Sequence, residues 1–163
     1  MPHTGRRPTN DPILVVDDDA VLRTALARIL RSEGHEVIEA TTGPDALALI
    51  RNERPCLVVM DSMLQGMDGE MVMRTSQSEF GKRAPAFILL TTSPREAEQA
   101  RDLGALLGLC KPFRVEDLLD IAEQFRAPIY DHDSESGVIR IVRPAQREFD
   151  LDGALLRAVA DAG

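Results

Sequence analysis

Three aspartates, a threonine and a lysine each close a short apolar run in this chain. Asp17 and Asp18 follow Ile13-Leu14-Val15-Val16, and Asp61 follows Leu57-Val58-Val59-Met60. Thr91 follows Phe87-Ile88-Leu89-Leu90, and Lys111 follows Leu106-Leu107-Gly108-Leu109-Cys110. Gathered carboxylates repel: two unit charges about 4 Å apart, at an effective dielectric of about 20, interact by roughly 4 kcal/mol. A divalent cation relieves this, and Mg²⁺ favours one or two carboxylates with water and phosphate oxygen. A carboxylate can also act as a nucleophile and carry a phosphoryl group as an acyl phosphate. Phosphoryl transfer leaves the protein mainly positioning and charge neutralisation. Lysine offers a point charge for that task, and threonine a hydrogen-bond donor.

Taken singly, each residue has an ordinary reading. Asp17 to Asp19 suit the start of a helix, where the dipole favours acids. Asp61, Thr91 and Lys111-Pro112 suit strand ends and loop entries. The shared context makes them a set. Short apolar runs alternating with helical patterns read as parallel strands buried on both faces. In an open α/β sheet, ligands bind outside the carboxyl ends of the strands. All of these residues then meet on one rim.

The elements that must position them are legible in outline. A strand over 13–16 precedes a helix that Asp19 caps. Leu22, Ala25, Leu26, Ile29 and Leu30 form that helix's apolar face, and Gly34 ends it. An edge strand over 36–40 follows, then a helix opened by Gly43-Pro44 and broken by Pro55. The third strand covers 56–60, and a glycine-rich turn, 65–69, leads into a helix over 70–79. The fourth strand covers 86–90. Ser93-Pro94 starts a short helix that ends near Gly104. The fifth strand covers 106–110, and a helix begins near Val115. Five β/α units make an α/β, doubly wound, five-stranded parallel sheet.

Composition sets the class. The chain has 163 residues, 44% of them hydrophobic and 28% charged, with a net charge of −8. That suits one soluble domain with some extra length. An acidic balance argues against a sequence-independent grip on nucleic acid, which needs a basic footprint. No apolar run approaches the roughly 20 residues of a membrane helix. Residues 1–10 are polar, lack a secretory apolar stretch, and read as a flexible arm. Cys56 and Cys110 lie in apolar runs and are expected to be buried reduced thiols, which makes the cytoplasm the default compartment. Residues 127–163 are a C-terminal extension. It has an acidic, turn-rich linker at 131–137, a strand over 138–142, and a short terminal helix lined by Leu151, Leu155, Leu156 and Val159. A segment this small has little core of its own. It is expected to dock on the main domain, a second copy of the chain or a partner.

The runs ending in Asp17-Asp18-Asp19, Asp61-Ser62-Met63-Leu64-Gln65-Gly66-Met67-Asp68-Gly69, Leu90-Thr91-Thr92 and Cys110-Lys111-Pro112-Phe113 together resemble the receiver domain of two-component response regulators. The resemblance covers residues 11–126. It implies the flavodoxin-like strand order 2-1-3-4-5. It implies that Asp61 is the phosphoacceptor, that Asp18 binds Mg²⁺ directly, and that Asp17 is the second acid of the pair. Met63 would offer its backbone carbonyl to the metal. Thr91 would be the switch hydroxyl, and Lys111 the phosphate contact, followed by a cis peptide to Pro112. The implied donor is a phosphohistidine on a sensor histidine kinase or phosphotransfer protein, and the implied output is a downstream protein partner. Such a domain is a signalling phosphoacceptor rather than an enzyme, with Mg²⁺-dependent self-phosphorylation and self-dephosphorylation.

Three positions depart from that pattern. The family often has an aromatic residue three before the lysine, and here Gly108 cannot act as a rotamer switch. Thr92 stands where a smaller residue is usual and is expected to crowd the phosphoryl group. The stretch from Thr91 to Lys111 is about two residues short. Two other functions compete: an unphosphorylated adaptor that keeps the fold, and a haloacid-dehalogenase-like phosphatase. The latter usually needs a second aspartate two after the nucleophile, where this chain has Met63.

Overall fold

The computed structural model describes residues 11–125, together with the strands Ile129–His132 and Ile139–Arg143. Its first five strands are β1 (Ile13–Val16), β2 (Val37–Ala40), β3 (Leu57–Asp61), β4 (Ala86–Thr91) and β5 (Leu107–Cys110). They form one parallel sheet in the order β2-β1-β3-β4-β5. The helices are α1 (Ala20–Ser32), α2 (Gly43–Glu53), α3 (Gly69–Phe80), α4 (Pro94–Gln99) and α5 (Val115–Gln124).

The apolar residues 13–16, 57–60 and 87–90 are buried throughout, yet their alternation still assigns faces, because successive side chains of a strand point to opposite sides. Leu14, Val16, Val58, Met60, Phe87 and Leu89 pack with Ala46, Leu47 and Ile50 of α2 and Val72 and Met73 of α3. Ile13, Val15, Leu57, Val59, Ile88, Leu90, Leu107 and Leu109 pack with Leu26 and Leu30 of α1 and Leu118, Ile121 and Ala122 of α5. On β5 the second face takes both leucines. The first face has Gly108, which lets the backbone of α4 come down onto the sheet. A Cβ there would stand 2.3 Å from the Ala97 carbonyl oxygen and 2.8 Å from the Ala100 Cβ.

The starts of α1 to α4 follow the expected chemistry, while α5, preceded by Arg114, begins without a side-chain cap. Asp19 accepts from the Val21 and Leu22 amides, Thr42 from Asp45, Asp68 from Met71, and Ser93 from Glu96, each satisfying an amide with no partner inside its helix. Boundaries differ slightly from expectation. Asp61 and Thr91 are the last residues of their strands, not the residues beyond them. Helix α4 stops at Gln99, and turns carry the chain to Gly104, whose φ of 103° suits glycine.

Two expectations need correction. Cys56 and Cys110 are half-buried, not buried. Each stands at an end of its apolar run, where its thiol reaches a carbonyl outside the strand, that of Asp11 for Cys56 at 3.3 Å and that of Lys111 for Cys110 at 3.7 Å. Burial still pushes the Cys56 thiol up to about 11, aided by the Asp11 charge. Second, Asp131 and His132 do not begin a linker. They belong to β6 (Ile129–His132), which pairs antiparallel with β7 (Ile139–Arg143). The expected strand over 138–142 is thus present one residue later, with a partner that was not foreseen. The N-terminal arm and the expected terminal helix lie outside the described residues. Among the described residues, no helix is long and apolar enough to cross a membrane.

Candidate functional site

Because β1, β3, β4 and β5 run parallel, their carboxyl ends share one edge. Asp17 and Lys111 stand one residue past β1 and β5. Carboxylate oxygens of Asp17, Asp18 and Asp61 lie within 4.8 Å of one another. Asp17 is buried, Asp61 half-buried and Asp18 exposed.

Asp17 and Asp61 are held the same way. Each uses Oδ1 to accept the amide two residues on, Asp19 N–H at 2.9 Å and Met63 N–H at 2.9 Å. This local turn fixes the carboxylate plane and turns Oδ2 inward. Lys111 meets both: its Nζ is 2.8 Å from Asp61 Oδ2 and 3.5 Å from Asp17 Oδ2. The lysine is itself placed by its amide, which donates to the Thr91 carbonyl at 2.7 Å. The Lys111-Pro112 peptide is cis. Behind Asp61 the chain doubles back tightly, with the Gly69 amide donating to the Ser62 carbonyl at 3.0 Å. A Cβ on Gly69 would stand 2.7 Å from the Asp61 carbonyl oxygen, so the return requires glycine.

Electrostatics follow from this packing. Burial raises the Asp17 carboxyl above its ordinary 3.8, and the Asp61 charge adds to that. The Asp19 amide and the Lys111 charge oppose without cancelling it. For Lys111, burial alone would lower the ammonium. The hydrogen bond to Asp61 and the charges of Asp17 and Asp61 outweigh burial and leave it above 10.5. A carboxyl raised in the folded state stabilises the fold below its unfolded value, and that contribution is lost as pH rises through the folded one. Metal-free protein should therefore lose stability from this group as pH rises above about 4. Asp17→Asn should remove that slope and raise the neutral-pH melting temperature in the presence of EDTA. Thermal melts from pH 3.5 to 7 check this, and an unchanged slope would count against it.

Two contributors had no signal in the spacing of acids and lysine. Arg23 Nη1 donates to the Asp17 carbonyl at 2.9 Å, pinning the backbone of the acid pair. Glu96, in the first turn of α4, accepts the Thr91 hydroxyl proton at 2.6 Å. Thr91 is buried and adjoins Lys111 through the backbone, but its hydroxyl is turned to α4. Thr92 is exposed. A groove of about 570 Å³ opens beside the acids, between the β3–α3 loop and α4, with Thr91 and Glu96 among its lining residues.

The model of the response regulator receiver domain matches residues 13–123. The chain belongs to that family. Among curated relatives, this receiver domain is similar to the Mycobacterium tuberculosis transcriptional regulatory protein PdtaR, 37% identical over 113 residues, covering 68% of this chain and 54% of PdtaR. It is also similar to sporulation initiation phosphotransferase F of Bacillus subtilis, 31% identical over 120 residues, covering 71% of this chain and 94% of that protein. The chain spans about half the length of PdtaR and of several other relatives. Among solved structures, the receiver domain of NtrX from Brucella abortus superposes with a TM-score of 0.63 at 33% identity, covering 69% of this chain and 95% of that one. The chemotaxis response regulator CheY4 of Vibrio cholerae superposes with 0.62 at 28% identity, covering 69% and 96%.

Proposed function

We propose that this receiver domain takes a phosphoryl group onto Asp61 from a phosphohistidine of a sensor histidine kinase or phosphotransfer protein. One observation carries the reading: Asp61 ends β3 with its Oδ2 on the Lys111 ammonium, inside a cluster of three carboxylates. In the transfer, the P–N bond of the phosphohistidine breaks as a carboxylate oxygen of Asp61 bonds to phosphorus. The imidazole leaves with the electron pair.

The residues fit Mg²⁺. Asp17, Asp18 and Asp61 offer hard oxygen donors within a 4.8 Å span, and the Asp61–Met63 hydrogen bond brings the backbone of Met63 alongside. Asp18 and Asp61 would hold the ion directly, with Asp17 as the second acid and Met63 giving its carbonyl. When bound, the ion neutralises charge on the acids and on the arriving phosphoryl oxygens. Lys111 is already in place to do the same from the other side.

Val21, Met63 and Met71 are large apolar residues 80%, 74% and 52% exposed. They stand at the start of α1, just past β3 and at the start of α3, all toward the carboxyl edge of the sheet. Apolar residues placed around an acidic centre suit a protein donor better than a small one. The proposed output is a change in partner binding, driven by a local charge of about −2.

With Mg²⁺ and acetyl phosphate, intact mass should rise by one phosphoryl group, and EDTA should prevent it. No gain in Mg²⁺, with no Mg²⁺ binding either, would instead leave an adaptor that keeps the fold without the chemistry.

A further inference from the structure

The Thr91 hydroxyl has a single proton, and Glu96 holds it. Thr91 Oγ1 donates to Glu96 Oε2 at 2.6 Å and accepts the Ser93 N–H at 3.1 Å. A hydroxyl is one donor with acceptor lone pairs. While the bond to Glu96 stands, Thr91 has nothing to donate to an oxygen at Asp61. We propose that Glu96 is the resting-state latch of this domain: it keeps the Thr91 hydroxyl on α4, and phosphorylation frees α4 by taking that hydrogen bond away. The second half rests on the reading of Asp61 as phosphoacceptor; the first rests on geometry alone.

Three features of the chain make the latch consequential. The first is how α4 begins. Ser93 and Glu96 have the spacing of a capping box, in which the glutamate would reach back to the Ser93 amide. Here only half the box forms: Ser93 Oγ accepts the Glu96 amide at 3.3 Å. Thr91 takes the Ser93 amide in place of the glutamate, and the glutamate takes Thr91. The strand-end hydroxyl is thus built into the helix start. A six-residue helix has few bonds of its own to replace that anchor.

The second feature is Gly108. A Cβ there would stand 2.3 Å from the Ala97 carbonyl oxygen and 2.7 Å from its Cα. Helix α4 therefore lies on β5 backbone to backbone at Ala97, the residue next to its anchor at Glu96. A shift of α4 is felt directly at β5, with no swinging aromatic between them. The third feature is room. Thr91 and Glu96 line the 570 Å³ groove, so a released Glu96 has an aqueous space to enter. A phosphoryl group of about −2 charge also repels the Glu96 carboxylate, so charge and hydrogen bonding push the same way.

The test is a double-mutant cycle read by amide hydrogen exchange at Ala97, whose N–H bonds the Ser93 carbonyl at 3.1 Å. In the 163-residue chain, with EDTA and no phosphodonor, Glu96→Ala should speed that exchange about fivefold, the scale of one net hydrogen bond, and Thr91→Val, which also removes the acceptor of the Ser93 N–H, should speed it at least as much. The double variant should be no faster than Thr91→Val alone. Thr91→Ser, which keeps the hydroxyl, should match the parent, and so should Glu98→Ala, which removes an exposed charge elsewhere on α4. Phosphorylated parent should reach the exchange rate of Glu96→Ala. Glu96→Ala should also take up phosphoryl from acetyl phosphate about fivefold faster. Additive effects, or parent-like exchange in either single variant, overturn the latch even if the parent phosphorylates normally. A parent that gains no phosphoryl mass overturns the release step and the Asp61 reading together, while the cycle still decides the latch.

Discussion

Replacing Lys111 with alanine should slow phosphoryl uptake from acetyl phosphate by about 100-fold, the scale of removing one fixed donor from a developing anion. Lys111 is the one cation within hydrogen-bond reach of Asp61 among the described residues, and it bridges two carboxylates rather than one. Its loss therefore acts twice. The arriving phosphoryl oxygens lose a point charge, and Asp17, fully buried, loses its compensating partner. A dry pair broken from one side costs about 3–5 kcal/mol. Lys111 keeps 23% of its side chain exposed, so a cost of about 1–2 kcal/mol is expected in metal-free protein. Added Mg²⁺ should restore most of that stability but not the rate. Lys111→Arg keeps the charge but spreads it over a planar fork, so it should recover the stability more fully than the rate. Uptake in Lys111→Ala within a few-fold of the parent would remove the lysine from the chemistry.

The largest effect on stability is expected at Gly108. Placing an aromatic side chain there should damage this chain rather than improve its switching. The space is filled by the backbone of α4, not by a movable side chain. Even Gly108→Ala forces the Ala97 carbonyl to retreat, with an expected cost of about 2 kcal/mol and a melting-point drop of roughly 5–10 °C. Gly108→Phe should cost more than that and should loosen α4 measurably by hydrogen exchange. A melting temperature for Gly108→Ala equal to the parent's would show that α4 can lift off β5 freely.

Why the acids and the lysine were legible, and Glu96 was not, has a physical answer. A parallel sheet needs apolar runs, and the first polar residue after each run marks an edge. Asp17, Asp61, Thr91 and Lys111 therefore announce their own convergence. The strand order came from the family resemblance, since periodicity says nothing about which strand lies beside which. Gly108 could be seen to lack a rotamer, but not to be the seat of α4; that depends on where a helix lands. Glu96 was hidden by a simpler explanation, because Ser93-x-x-Glu96 reads as a capping box. The spacing carries no sign that Thr91 enters between them. Strand β6 was missed for a related reason. Its residues 129–132 include an aspartate and a histidine beside an acidic, turn-rich stretch, and strand formation there follows from pairing with β7 rather than from local preference.

The proposed transfer leaves an acyl phosphate on Asp61. The most direct test is borohydride reduction of the protein after incubation with Mg²⁺ and acetyl phosphate, followed by peptide mass mapping. Reduction of an aspartyl phosphate leaves homoserine at the modified position. Homoserine is expected at residue 61 in the parent and nowhere in Asp61→Asn. Homoserine at Asp17 or Asp18, or phosphate that survives reduction on a hydroxyl or histidine, would contradict the proposed transfer.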